Sequence, residues 1–324
     1  MQLLDEFVSV LNGLADRKNC DVFVTGSNAK FLSRDIATEF GGRGDEVHMY
    51  PLSFSEFMSV YDGNRYDGWN EYIIYGGIPL VVLAETEEQK MAILDNLFRE
   101  TCISDIVKRN KIRNVGELEA LLDILSSAIG ALTNPNKLQK TFKSVNRSKI
   151  TATTITKYIE YLEDAFLIEE AVRFDIKGKS YIGTPLKYYF MDLGLRNARI
   201  NYRQIEITHS MENVIYNELR MRGFSVDVGN LTIVENGKDG KAVKKQLEVD
   251  FICNKGSKKY YIQSAYQLGT EEKLAQEIRP FLKIKDCFKK IVITSDTPKP
   301  CYTDEGILMM NVYDFLLNPE LIDL

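Results

Sequence analysis

The chain has 324 residues, 44% apolar and 27% charged, with a formal net charge of −5. These proportions fit packed globular structure and exclude bulk disorder, and the length allows roughly two or three domains with cores of their own. The acidic balance excludes a nucleic-acid coat over the whole surface while leaving room for one basic face.

Leu3, Leu4, Phe7, Val8, Val10, Leu11 and Leu14 repeat at helical spacing, which predicts an amphipathic first helix. Asp21-Val22-Phe23-Val24 predicts a buried strand, ending in Thr25-Gly26-Ser27-Asn28. Small polar residues at the carboxyl edge of a parallel sheet are placed to meet a ligand. They serve equally as a turn and cap into a following helix. Gly41-Gly42-Arg43-Gly44 precedes an expected strand over Glu46–Tyr50, then Pro51-Leu52-Ser53-Phe54-Ser55-Glu56-Phe57, and later Tyr75-Gly76-Gly77-Ile78-Pro79. In this order the four motifs resemble the second half of a prokaryotic AAA+-type ATPase family whose C-terminal domain is of unknown function. The resemblance implies ATP as the family's cofactor and a sensor-one strand ending at Thr25. It also implies Ser27 and Asn28 near the γ-phosphate, with Arg43 as arginine finger or sensor arginine. A planar, always-charged guanidinium suits that role, because it stabilises charge on a transferring phosphoryl group.

A phosphate loop needs Gly-x-x-x-x-Gly-Lys-Ser/Thr between a strand and a helix. Gly178-Lys179-Ser180 is a partial match that fails, since Arg173 stands where the first Gly belongs and Tyr181-Ile182 continues as a strand. Asp5-Glu6 lacks the apolar strand that precedes a Mg²⁺-holding acidic pair. The expectation is a chain that begins just after the family's acidic pair, without a phosphate loop and without ATP hydrolysis of its own.

From about 90 to 130 the pattern is helical, with Leu118, Leu121, Leu122 and Leu125 as a core stripe. Thr133-Asn134-Pro135-Asn136 marks a break. Between 137 and 157 lie six basic residues, Lys137, Lys140, Lys143, Arg147, Lys149 and Lys157, and no acidic one. A helix follows from Thr151 through Leu162, then aromatic β-rich segments around 171–174 and 186–190. Helix, helix and β-ribbon is the winged-helix order, and the family resemblance implies such a module here. The basic stretch reads either as a contact for DNA phosphates or as a solvated face of an internal domain. Met191-Asp192-Leu193-Gly194-Leu195-Arg196 resembles a further signature of the family and reads as a turn and helix start, with Asp192 as its cap.

The last third predicts a helix over 210–220, strands over 246–252 and 260–265, a charged helix over 271–283 and a strand over 291–293. A final strand and helix follow in the tail. With Glu212, Asp250 and Gln263 on the first helix and two central strands, this resembles the PD-(D/E)XK restriction-endonuclease-like core. The resemblance implies carboxylates that hold Mg²⁺ and a lysine that stabilises developing charge. Glu212 and Asp250 are then the metal ligands, and the catalytic set is Glu212, Asp250 and Gln263. Alternation puts Leu247, Val249 and Phe251 on one face of their strand and Glu248, Asp250 and Ile252 on the other. The lysine position falls on Ala265, and Lys245, Lys259 or Lys273 are the candidates to replace it.

Two histidines, His48 and His209, form no zinc spacing, and no Ser–His, Cys–His or dinucleotide-binding pattern occurs. Five cysteines without a Cys-x-x-Cys pair read as reduced thiols. No apolar run reaches the ~20 residues of a membrane helix, so a cytoplasmic protein is expected. The expected architecture is α/β and multidomain. Residues 1–85 form a partial AAA+ segment, 86–204 a helical and winged-helix region, and 205–324 a restriction-endonuclease-like domain. Three functions stay open: a DNA-associated ATPase fragment with a degenerate nuclease domain, a Mg²⁺-dependent DNA nuclease, and a protein-interaction scaffold.

Overall fold

The computed structural model describes residues 7–17, 19–26, 45, 47–145, 148–203, 205–236 and 241–324. Asp5, Glu6, Ser27, Asn28, Arg43 and Arg147 lie outside the described residues. Within them, helix α1 spans Phe7–Ala15. Residues 21–24 form no strand, and Phe23 is 91% exposed. The expected strand over 46–50 is likewise absent from its described residues, 47–50, with Val47 and Met49 exposed. An extended segment becomes a strand only when a neighbour takes its backbone N–H and C=O groups. Among the described residues neither segment has such a neighbour.

Past α1, regular secondary structure resumes after Pro51, although His48 before it already meets Phe166 with ring centroids 4.7 Å apart. Helix α2 (Phe54–Val60) opens on a capping box in which Ser53 accepts from the Glu56 amide and Glu56 reaches back to the Ser53 amide. It is followed by α3 (Arg65–Tyr75), α4 (Pro79–Val82), α5 (Glu87–Asn96), a π-helical stretch (Leu97–Ile103), α6 (Ser104–Asn110) and α7 (Val115–Ser127). Leu118, Leu121, Leu122 and Leu125 form the buried stripe of α7, as their spacing predicts. Helices α8 (Pro135–Val145) and α9 (Ala152–Asp164, capped by Thr151) lead into an antiparallel ribbon, β1 (Ile168–Asp175) and β2 (Ser180–Phe190). Thr133, between α7 and α8, pairs across to Leu186 of β2.

After β2 come α10 (Leu193–Arg199), α11 (Ile207–Met221), β3 (Ser225–Asn236), β4 (Ala242–Lys255), β5 (Lys258–Ala265), α12 (Glu271–Leu282) and β6 (Lys289–Thr294). The chain then runs through β7 (Cys301–Tyr302), β8 (Leu308–Asn311) and α13 (Val312–Leu317). All eight strands join one mixed sheet in the order β2-β1-β3-β4-β5-β6-β8-β7. Strands β3, β4 and β5 form an antiparallel meander, and β6 pairs parallel to β5. Strand β1 pairs parallel to β3, so the ribbon is not a free wing, and strands of the expected middle region and of the expected carboxyl-terminal domain share one sheet.

Apolar side chains cover both faces of this sheet. On one face Ile262, Phe251 and Ile293 pack with Met211, Ile215 and Leu219 of α11 in a core that extends into the helical region. On the other, Val249, Ile252, Tyr261 and Val292 pack with Ile278 and Phe281 of α12.

The family-like motifs near residues 52, 76 and 193 lock together. The Leu52 amide donates to the Gly77 carbonyl at 2.8 Å, and the Tyr72 hydroxyl donates to the Leu52 carbonyl at 2.8 Å. Asp192 caps α10 by accepting from the Leu195 amide at 3.1 Å, and accepts from the Gly77 amide at 2.8 Å. Asn197 donates to the carbonyls of Ile73 and Ile74 at 2.8 and 2.9 Å. The turn expected at Asp192 is therefore also the clasp that holds the N-terminal helices to the sheet.

Candidate functional site

Helix α11, strand β2 and strand β4 bring their polar side chains to one buried point. Residues four apart share a helix face and residues two apart share a strand face. Glu212 and Tyr216 of α11 therefore meet Lys187 and Tyr189 of β2, and Glu248 and Asp250 of β4. Two asparagines fix the register. Asn213 accepts from the Phe190 amide at 2.8 Å and donates to its carbonyl at 2.7 Å, while Asn217 donates to the Phe190 and Met191 carbonyls at 3.0 and 3.1 Å. They hold the end of β2 against α11 as another strand would.

At the centre sits the Lys187 ammonium, only 4% of the residue being exposed. Its Nζ lies 2.8 Å from Glu212 Oε1, 2.8 Å from Glu248 Oε1 and 3.9 Å from Asp250 Oδ1. The Tyr189 hydroxyl donates to Glu212 Oε1 at 2.6 Å, and the Ser264 amide donates to Asp250 Oδ2 at 2.8 Å. His209 Nδ1 stands 3.7 Å from Glu212 Oε2. Gly130, at φ +70°, crosses over this pair; a Cβ there would lie 3.3 Å from both Glu212 Oε2 and His209 Nδ1. Glu248 and His209 are the members open to solvent, with side chains 34% and 41% exposed.

Burial and charge divide the two buried carboxyls. Burial alone would raise Glu212, but Lys187, His209 and Tyr189 outweigh it and hold the group below its ordinary value. Asp250 is raised by burial and by the neighbouring Glu212 charge, which Lys187 and the Ser264 amide offset only in part. Burial lowers Lys187, and the three carboxylates more than reverse that. The centre thus keeps an ionised Glu212 against a charged ammonium, with the proton-holding tendency passed to Asp250.

The structure joins Glu212 to Asp250 and places Gln263 elsewhere. Across from β3, β4 carries one extra residue between Val249 and Ile252, a β-bulge that breaks the expected alternation. Val249 and Ile252 both face α12. Phe251 turns to the α11 face, its ring 6.0 Å from Tyr189 and 6.2 Å from Tyr216. Asp250 keeps its place beside Lys187 on that same face. On β5, alternation sends Gln263 and Ala265 to the α12 face, where Gln263 Nε2 donates to Glu277 at 3.3 Å and Ala265 joins the apolar cluster. Gln263 reaches β4 only by accepting from the Asp250 amide at 3.4 Å.

None of the three lysines expected to replace the one missing at Ala265 reaches the centre. Lys259 lies over the rings of Tyr261 and Phe288, and the ammonium paired with Glu212, Glu248 and Asp250 belongs to neither Lys245 nor Lys273. It belongs to Lys187, a residue that sequence reasoning missed. The signal is nonetheless present: a lone charge inside the apolar run Leu186-Lys187-Tyr188-Tyr189-Phe190 demands a buried partner. Among the described residues no group of three or more His, Cys, Asp or Glu side chains is arranged to hold a metal ion.

A second candidate surface lies on the helical side. Lys137, Lys140 and Lys143 of α8, Lys149 of the following turn and Lys157 of α9 are open to solvent to differing degrees, and none is buried. Pro135 and Asn136 at the start of α8, Thr153, Thr156, Lys157 and Glu160 of α9, and Thr184 of β2 line one open hollow. The buried face of α9 is Ile155, Tyr158, Ile159 and Leu162, so Thr153, Thr156 and Lys157 lie on its exposed face, with the Thr156 hydroxyl donating to the Ala152 carbonyl at 3.1 Å.

With both surfaces described, likeness to known proteins defines the class. Residues 1–58 match an AAA domain, and residues 66–206 match a domain of unknown function (DUF8612). An uncharacterized protein of Haemophilus influenzae is 35% identical over 322 residues, covering 98% of this chain and 76% of that protein. An uncharacterized protein of Methanocaldococcus jannaschii is 31% identical over 328 residues, covering 96% of this chain and 68% of its own length. The chain belongs to the family that these bacterial and archaeal proteins represent. The crystal structure of protein VC1899 from Vibrio cholerae aligns over 84% of this chain and 61% of that one. With 11% identity and a TM-score of 0.24, that likeness is too slight to define a shared fold. No helix among the described residues is long and apolar enough to cross a membrane.

Proposed function

We propose that this AAA-family chain associates with DNA through a winged-helix-like pair of helices, α8 and α9, whose ribbon is built into the large sheet, and that its nuclease-like carboxyl-terminal unit is a scaffold. The observation that carries the reading is the lysine set on α8, the 149 turn and α9. It sits on a helix–helix–ribbon order in which Thr133, before the first helix, makes a single bridge to Leu186 of β2. In that order α9 is the helix offered to a groove, and the α8 lysines are placed for phosphates. The α11–β3–β4–β5–α12–β6 order, with an antiparallel meander and one parallel strand, supports the PD-(D/E)XK-like reading of the last unit. Glu212 and Asp250 occupy its acidic positions.

The test is a titration of the full chain with duplex DNA across a salt series. Binding carried by phosphates weakens steeply, with a log–log slope of roughly −0.9 per phosphate neutralised. A Lys137→Glu/Lys140→Glu/Lys143→Glu variant is expected to lose at least tenfold in affinity and to flatten the slope by about one for each contact removed. Binding that ignores salt, or a variant that binds like the parent, sinks the proposal.

A second reading has one observation in its favour. Lys187 brings an ammonium to Glu212 and Asp250, where a Mg²⁺-dependent nuclease of this fold needs one. Plasmid nicking with Mg²⁺ or Mn²⁺ that disappears in Asp250→Ala would establish that reading instead.

A further inference from the structure

We infer that the Lys187 ammonium is the resident cation of the buried carboxylate centre, taking the place in which a nuclease of this fold would hold magnesium. The inference rests on the nuclease-like reading of residues 207–294 and is independent of DNA binding by α8 and α9.

The residues present do not fit a divalent ion together with Lys187. Magnesium takes oxygens at about 2.0–2.1 Å and calcium at about 2.3–2.6 Å. The oxygens available, Glu212 Oε1 and Glu248 Oε1, each already lie 2.8 Å from Nζ, with Asp250 Oδ1 at 3.9 Å. An ammonium has three donors and no acceptor, so it satisfies carboxylates from their centre as a small cation does. For a metal to enter, the amine would have to leave, and the structure opposes that. Phe190 is clamped by Asn213 and Asn217, which fixes the strand that carries Lys187. The Tyr189 hydroxyl and the Ser264 amide donate further hydrogen bonds to Glu212 and Asp250, so both carboxyls are served by the chain itself.

Removing the ammonium should therefore turn the centre into the metal site it replaces. Lys187→Met keeps most of the apolar stem and leaves Glu212, Glu248 and Asp250 facing one another with no cation between them. The probe is Mn²⁺, counted by electron paramagnetic resonance on the full chain. The parent is expected to bind no Mn²⁺ that a Glu212→Gln substitution abolishes. Lys187→Met is expected to gain one Mn²⁺ per chain, at least tenfold tighter than any uptake by the parent, and Lys187→Met/Glu212→Gln is expected to lose it. If Lys187→Met unfolds without metal, cooperative refolding on Mn²⁺ addition, absent in the double variant, is the same result read by circular dichroism.

Two outcomes overturn the inference. One is a parent chain that binds one Mn²⁺ lost in Glu212→Gln, since the metal would then coexist with Lys187. The other is a Lys187→Met chain that neither binds Mn²⁺ nor refolds with it. Failure of the DNA titration would leave both measurements meaningful, so the two proposals fall separately.

Discussion

Asp192 shows what a single carboxyl contributes when folding removes it from water. Burial raises it to about 6, with the amides of Gly77, Leu195 and Gly194 offsetting part of the rise. A carboxyl with a raised folded value binds its proton more tightly folded than unfolded. Its contribution is therefore greatest below the unfolded value of ~3.9 and declines as pH rises to about 6, with no further change above that. The window corresponds to roughly 3 kcal/mol at 1.36 kcal/mol per unit. Asp192→Asn removes the titration and weakens the clasp, since an amide side chain has one acceptor oxygen and cannot accept at both the Gly77 and Leu195 amides with separate oxygens. The stability difference between parent and variant, from urea unfolding at pH 4 and pH 7, should change by that order in favour of the variant at pH 7. A pH-independent difference would mean that Asp192 is not buried in this way. Residue identity alone named Asp192 as a cap, and it is one; its second bond, to Gly77, crosses 115 positions and has no local signature. Lys187 escaped for the same reason. Its partners lie on a later helix and strand, and a search for a lysine two places after Gln263 cannot find one on β2.

Elements followed from periodicity wherever both their faces have neighbours in the chain. The stripes of α7 and α9 and the strands β4 and β5 were legible because apolar spacing alone fixes them, whereas β3 and its antiparallel pairing came from the structure. The bulge in β4 was not, because one extra residue leaves composition unchanged while reversing every side chain beyond it. The junction of α3 and α10 offers a test at this scale. A Cβ on Gly194 would lie 2.1 Å from the Tyr75 carbonyl oxygen, which belongs to backbone and cannot swing away. Gly194→Ala must push α10 off α3 and stretch the Asp192 and Asn197 bonds. We expect a loss of about 1–3 kcal/mol, the usual range for overpacking, measured by thermal unfolding, whereas Gly183→Ala, with nothing within 4 Å of its added carbon, should melt like the parent.

At the scale of the molecule, the AAA match ends at residue 58, inside α2, yet packing joins that helix to later elements of the chain. Phe54 meets Trp69 and Tyr72 with ring centroids 5.6 and 5.5 Å apart, and Trp69 meets Tyr313 of α13 at 5.9 Å. Arg65 pairs with Asp314 at 3.5 Å, so the first packed helices and the last one share a seam. Before Pro51 the described residues expose Val10, Phe23, Val47 and Met49 and form no strand. Proteases cut where backbone is exposed and free of secondary structure, and spare segments whose opening would break a core. Under native conditions, chymotrypsin should cleave after Phe23 well before any site beyond Ser53, leaving a body that contains residues 51–324. Because the α8 and α9 lysines and the Lys187 centre all lie in that body, the cut chain should keep the parent's cooperative melting and its DNA affinity to within a few-fold. Mass spectrometry of the first fragments decides the matter: early cuts within α2 or α3 would show that the aromatic seam to Tyr313 does not hold the two ends of the chain together.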